Sequence, residues 1–178
     1  MGRRAVIGGG AVAVVVAAVA LCNWIFVQRH LSGVIHADKR NSGITAFAHY
    51  RYFVVPSSLV FDLRKLSGDN SPADVTRVFL QFSESLKEST FREVTLSHRG
   101  HPKFLLSGEY FHTLGSEFGT QNPVYTMRTF SENVHKLDGT AAFGTWTGGW
   151  LGVVGKQMED FNEFHKQWYI ADLAHDGS

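Results

Sequence analysis

The chain has 178 residues, with 17 Lys and Arg against 16 Asp and Glu and a formal net charge of +1. Two of those basic residues, Arg3 and Arg4, lie in the first 27 positions, which leaves 15 basic against 16 acidic side chains in the remainder. This balance provides no basic face of the size that nucleic acid requires, so nucleic acid is not an expected partner. The single cysteine, Cys22, excludes a disulfide framework within the chain.

The first predicted element is a membrane-spanning helix. Positions 5–27 are a run of 23 residues without Asp, Glu, Lys or Arg, preceded by two arginines and followed by a third. A helix rises about 1.5 Å per residue, so about 20 residues cross a hydrocarbon core of roughly 30 Å. We therefore predict that residues 1–30 are a transmembrane anchor, with Trp24 and Phe26 at the level of the lipid headgroups.

Two other interpretations of this segment stay open. Ala18, Val19 and Ala20 match the small-x-small pattern of a signal-peptide cleavage site, although the apolar run continues beyond them. Lipid attachment at Cys22 would require a small residue before it, whereas Leu21 is large. A retained anchor is favoured, and its short basic leader is typical of an uncleaved signal anchor. The expected location is therefore the cell membrane, as a single-pass protein with its soluble domain outside the cytoplasm.

A stripe of small residues recurs every four positions along the predicted span, at Gly9, Ala13 and Ala17. Lipid gives helices no hydrophobic reason to associate, so small residues that allow close backbone approach are the usual contact. The stripe predicts helix–helix packing, with other membrane-protein subunits or with a second copy of the chain. The alternative is that a span rich in Ala, Gly and Val scatters small residues on every side.

The remainder predicts a polar tether over residues 31–43 and one globular domain over residues 44–178. Apolar residues that alternate with polar ones indicate strands in its first half. A break at 56–58 separates the first two strands, and the Arg99-Gly100 turn indicates a hairpin between the last two. The expected strands are 44–55, 59–63, 91–98 and 101–106.

Three helices complete the prediction. Ser71 is suited to cap a helix, Pro72 suits its first position and Asp74 lies in its first turn, which predicts a helix over 72–89. Apolar residues three or four apart predict a second amphipathic helix over 149–170, and a short helix is expected over 109–118. The predicted fold class is α+β: a small, mostly antiparallel sheet of about four strands packed by helices.

Catalytic signals in the sequence are weak. His98 and His101 flank the predicted hairpin turn and could face each other, with His112 nearby, but a zinc site needs three or four ligands. The 62–72 loop precedes a capped helix, yet it lacks the glycines and the Lys-Ser/Thr pair of a phosphate-binding loop. We assign no catalytic, cofactor-binding or metal-ligating residue and expect no cofactor.

A contact surface is the best candidate for a functional feature. Residues 141–155 carry no charge, and this stretch is too short to cross a bilayer. It is expected either to be buried in the domain or to contact a partner. Its glycines recur every four residues, with two tryptophans between them: Gly144, Gly148, Gly152, Trp146 and Trp150.

These patterns favour a membrane-anchored accessory or assembly subunit that acts by protein–protein and helix–helix contacts without catalysis. Its expected partners are the lipid bilayer and other membrane-protein subunits, or a second copy of the chain. The alternative is a small membrane-tethered enzyme or ligand-binding or metal-binding domain, with a site near the 62–72 loop or the histidines of 98–112. If those side chains converge in a cleft, the alternative is favoured. If the structure instead has an exposed apolar contact surface, the accessory subunit is favoured.

Overall fold

The structure is a computed structural model that describes the backbone of residues 2–176 and the side chains of residues 12–149 and 151–175. The strands are β1 (Ile44–Arg51), β2 (Val55–Leu66), β3 (Glu93–His98) and β4 (His101–Ser107). The helices are α1 (Gly2–Asn23), α2 (Arg29–Ala37), α3 (Pro72–Ser85), α4 (Gly108–Glu117), α5 (Pro123–Phe130), α6 (Trp150–His165) and α7 (Ala171–Asp176). Two π-helical turns, Trp24–Gln28 and Lys166–Ile170, join α1 to α2 and α6 to α7.

The four strands form one sheet in the order β1-β2-β3-β4, so the α+β class is confirmed. The sheet is mixed, which corrects the expectation of a mostly antiparallel one: β2 and β3 are parallel, while the two outer pairs are antiparallel. The physical reason is α3, which lies between β2 and β3 in the chain. A helical crossover returns the chain to the starting edge, so the next strand runs in the same direction.

The helices cover one face of the sheet. Alternate residues of β2, among them Phe61, point into this layer and are fully buried. The Phe61 ring contacts Phe79 and Phe82 of α3 and Trp168 of the C-terminal π turn. Aromatic side chains bury large areas, so this cluster supplies much of the hydrophobic stabilisation of the domain.

The start of α3 confirms the predicted cap. The Ser71 hydroxyl accepts a hydrogen bond from the Asp74 N–H at 3.3 Å, and the Asp74 carboxylate accepts one from the Ser71 N–H at 2.7 Å. This reciprocal pair satisfies two N–H groups that the first helical turn would otherwise leave unpaired. The helix ends at Ser85, four residues before the predicted boundary.

The turn between β1 and β2 differs from the prediction. The sequence placed a break at 56–58, but those residues lie inside β2, and the chain reverses at Tyr52 and Phe53. Both residues have positive φ, 52° and 65°, a conformation that glycine and asparagine adopt far more readily. Because the turn is built from aromatic residues, the sequence carried none of the usual turn signals.

The segment predicted as a polar tether also differs in structure. It is helical as far as Ala37, and Leu31 is fully buried in the core of the domain. A further short helix, α5, begins at Pro123, and the Asn122 side chain caps it by accepting a hydrogen bond from the Val124 N–H at 2.9 Å.

Both edges of the sheet are covered. The Asn23 and Gln28 side-chain oxygens accept hydrogen bonds from the outward N–H groups of Tyr50 and Ala48, at 2.8 and 2.7 Å. Gln28 lies five positions after Asn23, which would place the two side chains about 140° apart on a regular α-helix. The π turn between them brings both amides to the same side. At the opposite edge, His135 pairs with Leu105 through two backbone hydrogen bonds of 2.8 Å. Covered edges protect a sheet from pairing with other chains.

Candidate contact surface

The uncharged segment 141–155, here called the contact segment, lies on the surface at the start of α6. Gly144, Gly148 and Gly152 are exposed, and Trp146 is 39 % exposed. Leu151 is 79 % exposed, an unusual state for a leucine in the first turn of a helix. The side chain of Trp150 lies outside the described residues. Burial inside the domain, one of the two alternatives that the sequence left open, does not describe these residues. Phe143 is the part of the segment that packs inward, on Phe104 and Phe164.

Trp146 is held against α6 by polar contacts at its rim. Its indole Nε1–H donates to the Asp160 carboxylate at 2.6 Å, and the Lys156 ammonium lies 5.9 Å from the centre of its ring. A charge-assisted hydrogen bond of this length is among the stronger ones, and a cation near the ring face adds attraction. The indole is therefore fixed in orientation while a large part of its surface stays exposed.

Most glycines of the contact segment have no packing partner among the residues that the structure describes. A Cβ atom added to Gly148, Gly152 or Gly155 would meet nothing within 4 Å apart from adjacent backbone, whereas one on Gly144 would lie 4.0 Å from the Trp146 ring. Glycine inside a helix costs about 1 kcal/mol relative to alanine. Gly152 and Gly155 thus weaken α6 without allowing any close contact with the described part of this chain.

The small-residue stripe lies on a different element. Ala13 and Ala17 are exposed on α1, while Gly9 lies outside the described side chains. α1 packs against β1, whereas α6 packs against α5 and the 131–133 turn. The two sets of predicted contact residues are therefore presented by separate parts of the fold.

The three histidines considered as metal ligands have separate environments. His98 is buried, with its Nδ1 2.8 Å from the Asp172 carboxylate, whereas His101, its partner across the hairpin, is exposed. His112 is exposed on α4. Within residues 2–176, the described groups include no cluster of three His, Cys, Asp or Glu side chains suited to a metal.

The His98–Asp172 contact fastens the C-terminal helix to the sheet. Hydrogen bonds from His98 and from Lys103, at 3.1 Å, hold the pKa of Asp172 well below its usual range, at about 2. Charge-assisted contacts stabilise the ionised carboxylate. This chemistry is structural: it joins α7 to β3 and β4.

Asp62 lies inside β2, which continues to Leu66, so the predicted 62–72 loop is restricted to residues 67–71. The Asp62 side chain lines a groove that was not predicted from the sequence. Its buried carboxylate forms an ion pair with Arg64 and accepts the Gly100 N–H at 3.0 Å, which stabilises the hairpin turn. The groove, of about 510 Å³, lies on the sheet face opposite the helices. Its wall contains the Arg51–Glu93 ion pair, at 3.0 Å.

The groove is a charged but internally paired surface. Burial opposes ionisation of Glu93, but hydrogen bonds from Ser58, Arg92 and Arg51 outweigh it and lower its pKa. Period-two alternation could have revealed this face, because charged and polar residues occupy most of its positions on the first three strands, with Phe47 and Val60 as exceptions. The charged and polar residues are His49, Arg51, Asp62, Arg64, Glu93, Thr95 and Ser97.

A second cavity, of about 410 Å³, opens between α3, α4 and α5. Leu80, Leu114, Phe118 and Met127 provide most of its apolar lining, and Arg77 lies at its edge, where it is already paired with Asp74 at 2.7 Å. This cavity was not predicted from the sequence, because α5, which forms one of its walls, was not predicted.

His165 is a fully buried histidine among the aromatic rings of the core. The Thr76 hydroxyl donates to the Pro72 carbonyl at 2.9 Å, so it accepts from the His165 Nε2–H at 3.1 Å. The His165 Nδ1 has no hydrogen-bond partner in the described part of the chain. Burial lowers the pKa of His165 from 6.5 to about 3, because the charged imidazolium would lose its hydration in the core.

This burial predicts a loss of stability in mild acid. As the pH falls through 6.5, the unfolded chain binds a proton at position 165 that the folded chain rejects, and this continues down to about pH 3. We expect His165→Leu to remove this effect, so that the wild type loses about 2 kcal/mol more than the variant between pH 8 and pH 5. Urea unfolding at both pH values measures it, with the exposed His101→Leu as control. Equal losses in wild type and His165→Leu would contradict the assignment.

No protein-family model, curated protein or solved structure matches this chain. Function is therefore inferred from the geometry alone. Among the described residues, one helix, Val12–Ala37, is long and apolar enough to cross a membrane by length and composition.

Proposed function

We propose that this protein is a membrane-anchored accessory or assembly subunit that binds protein partners and does not catalyse a reaction. The observation that carries the proposal is the contact segment. It exposes Leu151, part of Trp146, and two helical glycines, Gly152 and Gly155, that no described side chain approaches. An exposed apolar patch that combines a fixed aromatic ring with close-approach glycines is typical of an interaction site.

The exposure of the N-terminal helix supports the anchor. Only 11 % of its most apolar 18-residue stretch is buried. The side chains of Val14, Val15 and Val16 are each more than three-fifths exposed. A core helix of a water-soluble protein would bury its apolar side chains instead. A bilayer would cover these valines. We propose a single-pass cell-membrane protein with the domain outside the cytoplasm, as the basic leader favours.

The first test is purification of the full-length protein from membranes in mild detergent, with identification of the chains that co-purify. We expect a defined partner to co-purify with the wild type. Leu151→Asp should reduce its recovery about tenfold, because desolvating an unpaired carboxylate at a contact would cost at least about 1.4 kcal/mol.

Leu137→Asp is the matched control. Leu137 is also an exposed leucine, 54 % accessible, but it lies outside the contact segment. Partner recovery should be unchanged in this variant. If both aspartate variants retain the partner, the contact segment is not the binding surface. If the wild type purifies as a lone monomer with a bound metal or small molecule, the accessory function is wrong.

The alternative function, an enzyme or ligand-binding domain, gains one observation from the structure. The open-face groove beside Asp62 has room for a small ligand. Its charged side chains are already paired with each other, as Arg64 is with Asp62 and Arg51 with Glu93. A ligand would have to displace those pairs, so the contact segment remains the better-supported site.

A further inference from the structure

The β1–β2 turn lies beside the C-terminal end of the apolar helix α1, before Arg29, which is the first charged residue after the apolar run. The Asn23 Nδ2 donates to the Phe53 carbonyl at 2.8 Å, and its Oδ1 accepts from the Tyr50 N–H at 2.8 Å. The side chains of Val19 and Cys22 line a shallow apolar pocket together with Phe53 and Val54. The turn is therefore level with the end of the predicted span.

The tip of this turn is apolar and exposed. Tyr52 is 72 % exposed and Val54 is 62 % exposed, and neither is covered by the domain. Positive φ at Tyr52 and Phe53 costs conformational energy for residues with these side chains. The surrounding contacts fix the turn in this form: Asn23 bonds its backbone, and the Phe53 ring stacks on His49 with 4.4 Å between centroids.

The depth of the turn follows from the length of the helix. An uncharged run that begins at residue 5 reaches through a hydrocarbon core of about 30 Å after roughly 20 residues, near Trp24. Val19 and Cys22, which the turn contacts, lie before that boundary. The Arg51 guanidinium lies 5.2 Å from the centre of the Tyr52 ring and pairs with Glu93 of β3 at 3.0 Å. Aromatic and aliphatic residues at the tip, with a cation beside them, suit a membrane interface, where aromatic rings lie at the headgroup level and long basic side chains reach the polar headgroups.

We propose that the tip of the β1–β2 turn, residues Tyr52, Phe53 and Val54, inserts into the interfacial region of the bilayer beside the anchor. The partner is lipid, at the boundary between headgroups and acyl chains. The domain then has two attachments to the membrane, the helix and the turn. This inference depends on the proposed function, because it takes α1 as a membrane span.

Environment-sensitive labelling of the full-length protein in vesicles of phosphatidylcholine and phosphatidylglycerol tests the inference. Cys22→Ala removes the only cysteine, and an NBD label is then placed at Val16→Cys, Val54→Cys or Val124→Cys. All three valines are more than half exposed. Val16 lies in the proposed span and Val124 lies on α5, so they are matched controls for lipid and for water. Circular dichroism of each labelled variant confirms that it is folded.

We expect the labels at positions 16 and 54 to emit at shorter wavelength and to lose intensity when nitroxide-bearing lipids are included. The label at position 124 should do neither. If the label at position 54 reports water while the label at position 16 reports lipid, the proposed insertion of the turn is wrong, but the proposed membrane anchor is retained. If position 16 also reports water, the anchor and the proposed function fail together. If position 124 reports lipid as well, the whole domain lies on the membrane and no specific insertion of the turn exists.

Discussion

Replacing Gly108 with alanine is expected to lower the free energy of unfolding by about 3 kcal/mol, at the upper end of the usual cost of overpacking. Gly108 begins α4, and a Cβ at this position would overlap the backbone carbonyl of Phe91. Its N–H also donates to the Arg92 carbonyl at 2.9 Å, which holds the two segments at this spacing. Because the obstacle is backbone, it cannot rotate away as a side chain would.

Urea unfolding followed by circular dichroism measures this effect, with Gly155→Ala as the matched control. Gly155 lies in α6 and has nothing within 4 Å of an added Cβ. Alanine there should stabilise the protein by up to about 1 kcal/mol, since it favours the helix. A Gly108→Ala protein as stable as the wild type would show that the α4 start is not tightly packed against the 91–92 backbone.

The second large effect is expected for Asn23→Leu, which should lower the free energy of unfolding by about 2–4 kcal/mol. The Asn23 side chain is buried and bonds three backbone groups, the Val19 and Phe53 carbonyls and the Tyr50 N–H. Leucine would leave the last two without these partners, and a buried unpaired polar group costs about 1–3 kcal/mol.

Amide hydrogen exchange separates this local effect from a general loss of stability. The Tyr50 amide should exchange faster in Asn23→Leu than other amides of β1 that retain their acceptors. Asn162→Leu is the matched control, because Asn162 is exposed on α6. Unchanged protection of the Tyr50 amide would mean that Asn23 does not cover the β1 edge.

Local chemistry explains which elements could be predicted from the sequence. The cap formed by Ser71 and Asp74 depends on residues three apart, and the Arg99-Gly100 hairpin depends on a turn that tolerates positive φ. Both were predicted and both are present. The turn at Tyr52 and Phe53 could not be read in this way, because its conformation is imposed by distant contacts with Asn23 and His49.

Tertiary geometry limited the prediction of the site. The glycine repeat of the contact segment was visible in the sequence, but whether Gly152 faces a neighbour or solvent depends on how α6 docks. The parallel pairing of β2 with β3 is also a property of the crossover through α3 rather than of either strand. The covering of β1 by Gln28 required the π turn, which has no recognisable sequence signal here.

The unbroken helix from α1 through α2 determines how the domain can meet anything else at the membrane. A flexible linker of 13 residues would allow the domain to move by about 20 Å and to rotate freely. Here the helix that enters the domain continues from the helix that is proposed to cross the bilayer. The buried side chains of Leu31 and Asn23 hold this helix against the sheet. Any tilt of the span would therefore move the contact segment by the same angle. The distance of this segment from the lipid, and the direction in which it faces, are then fixed by the span.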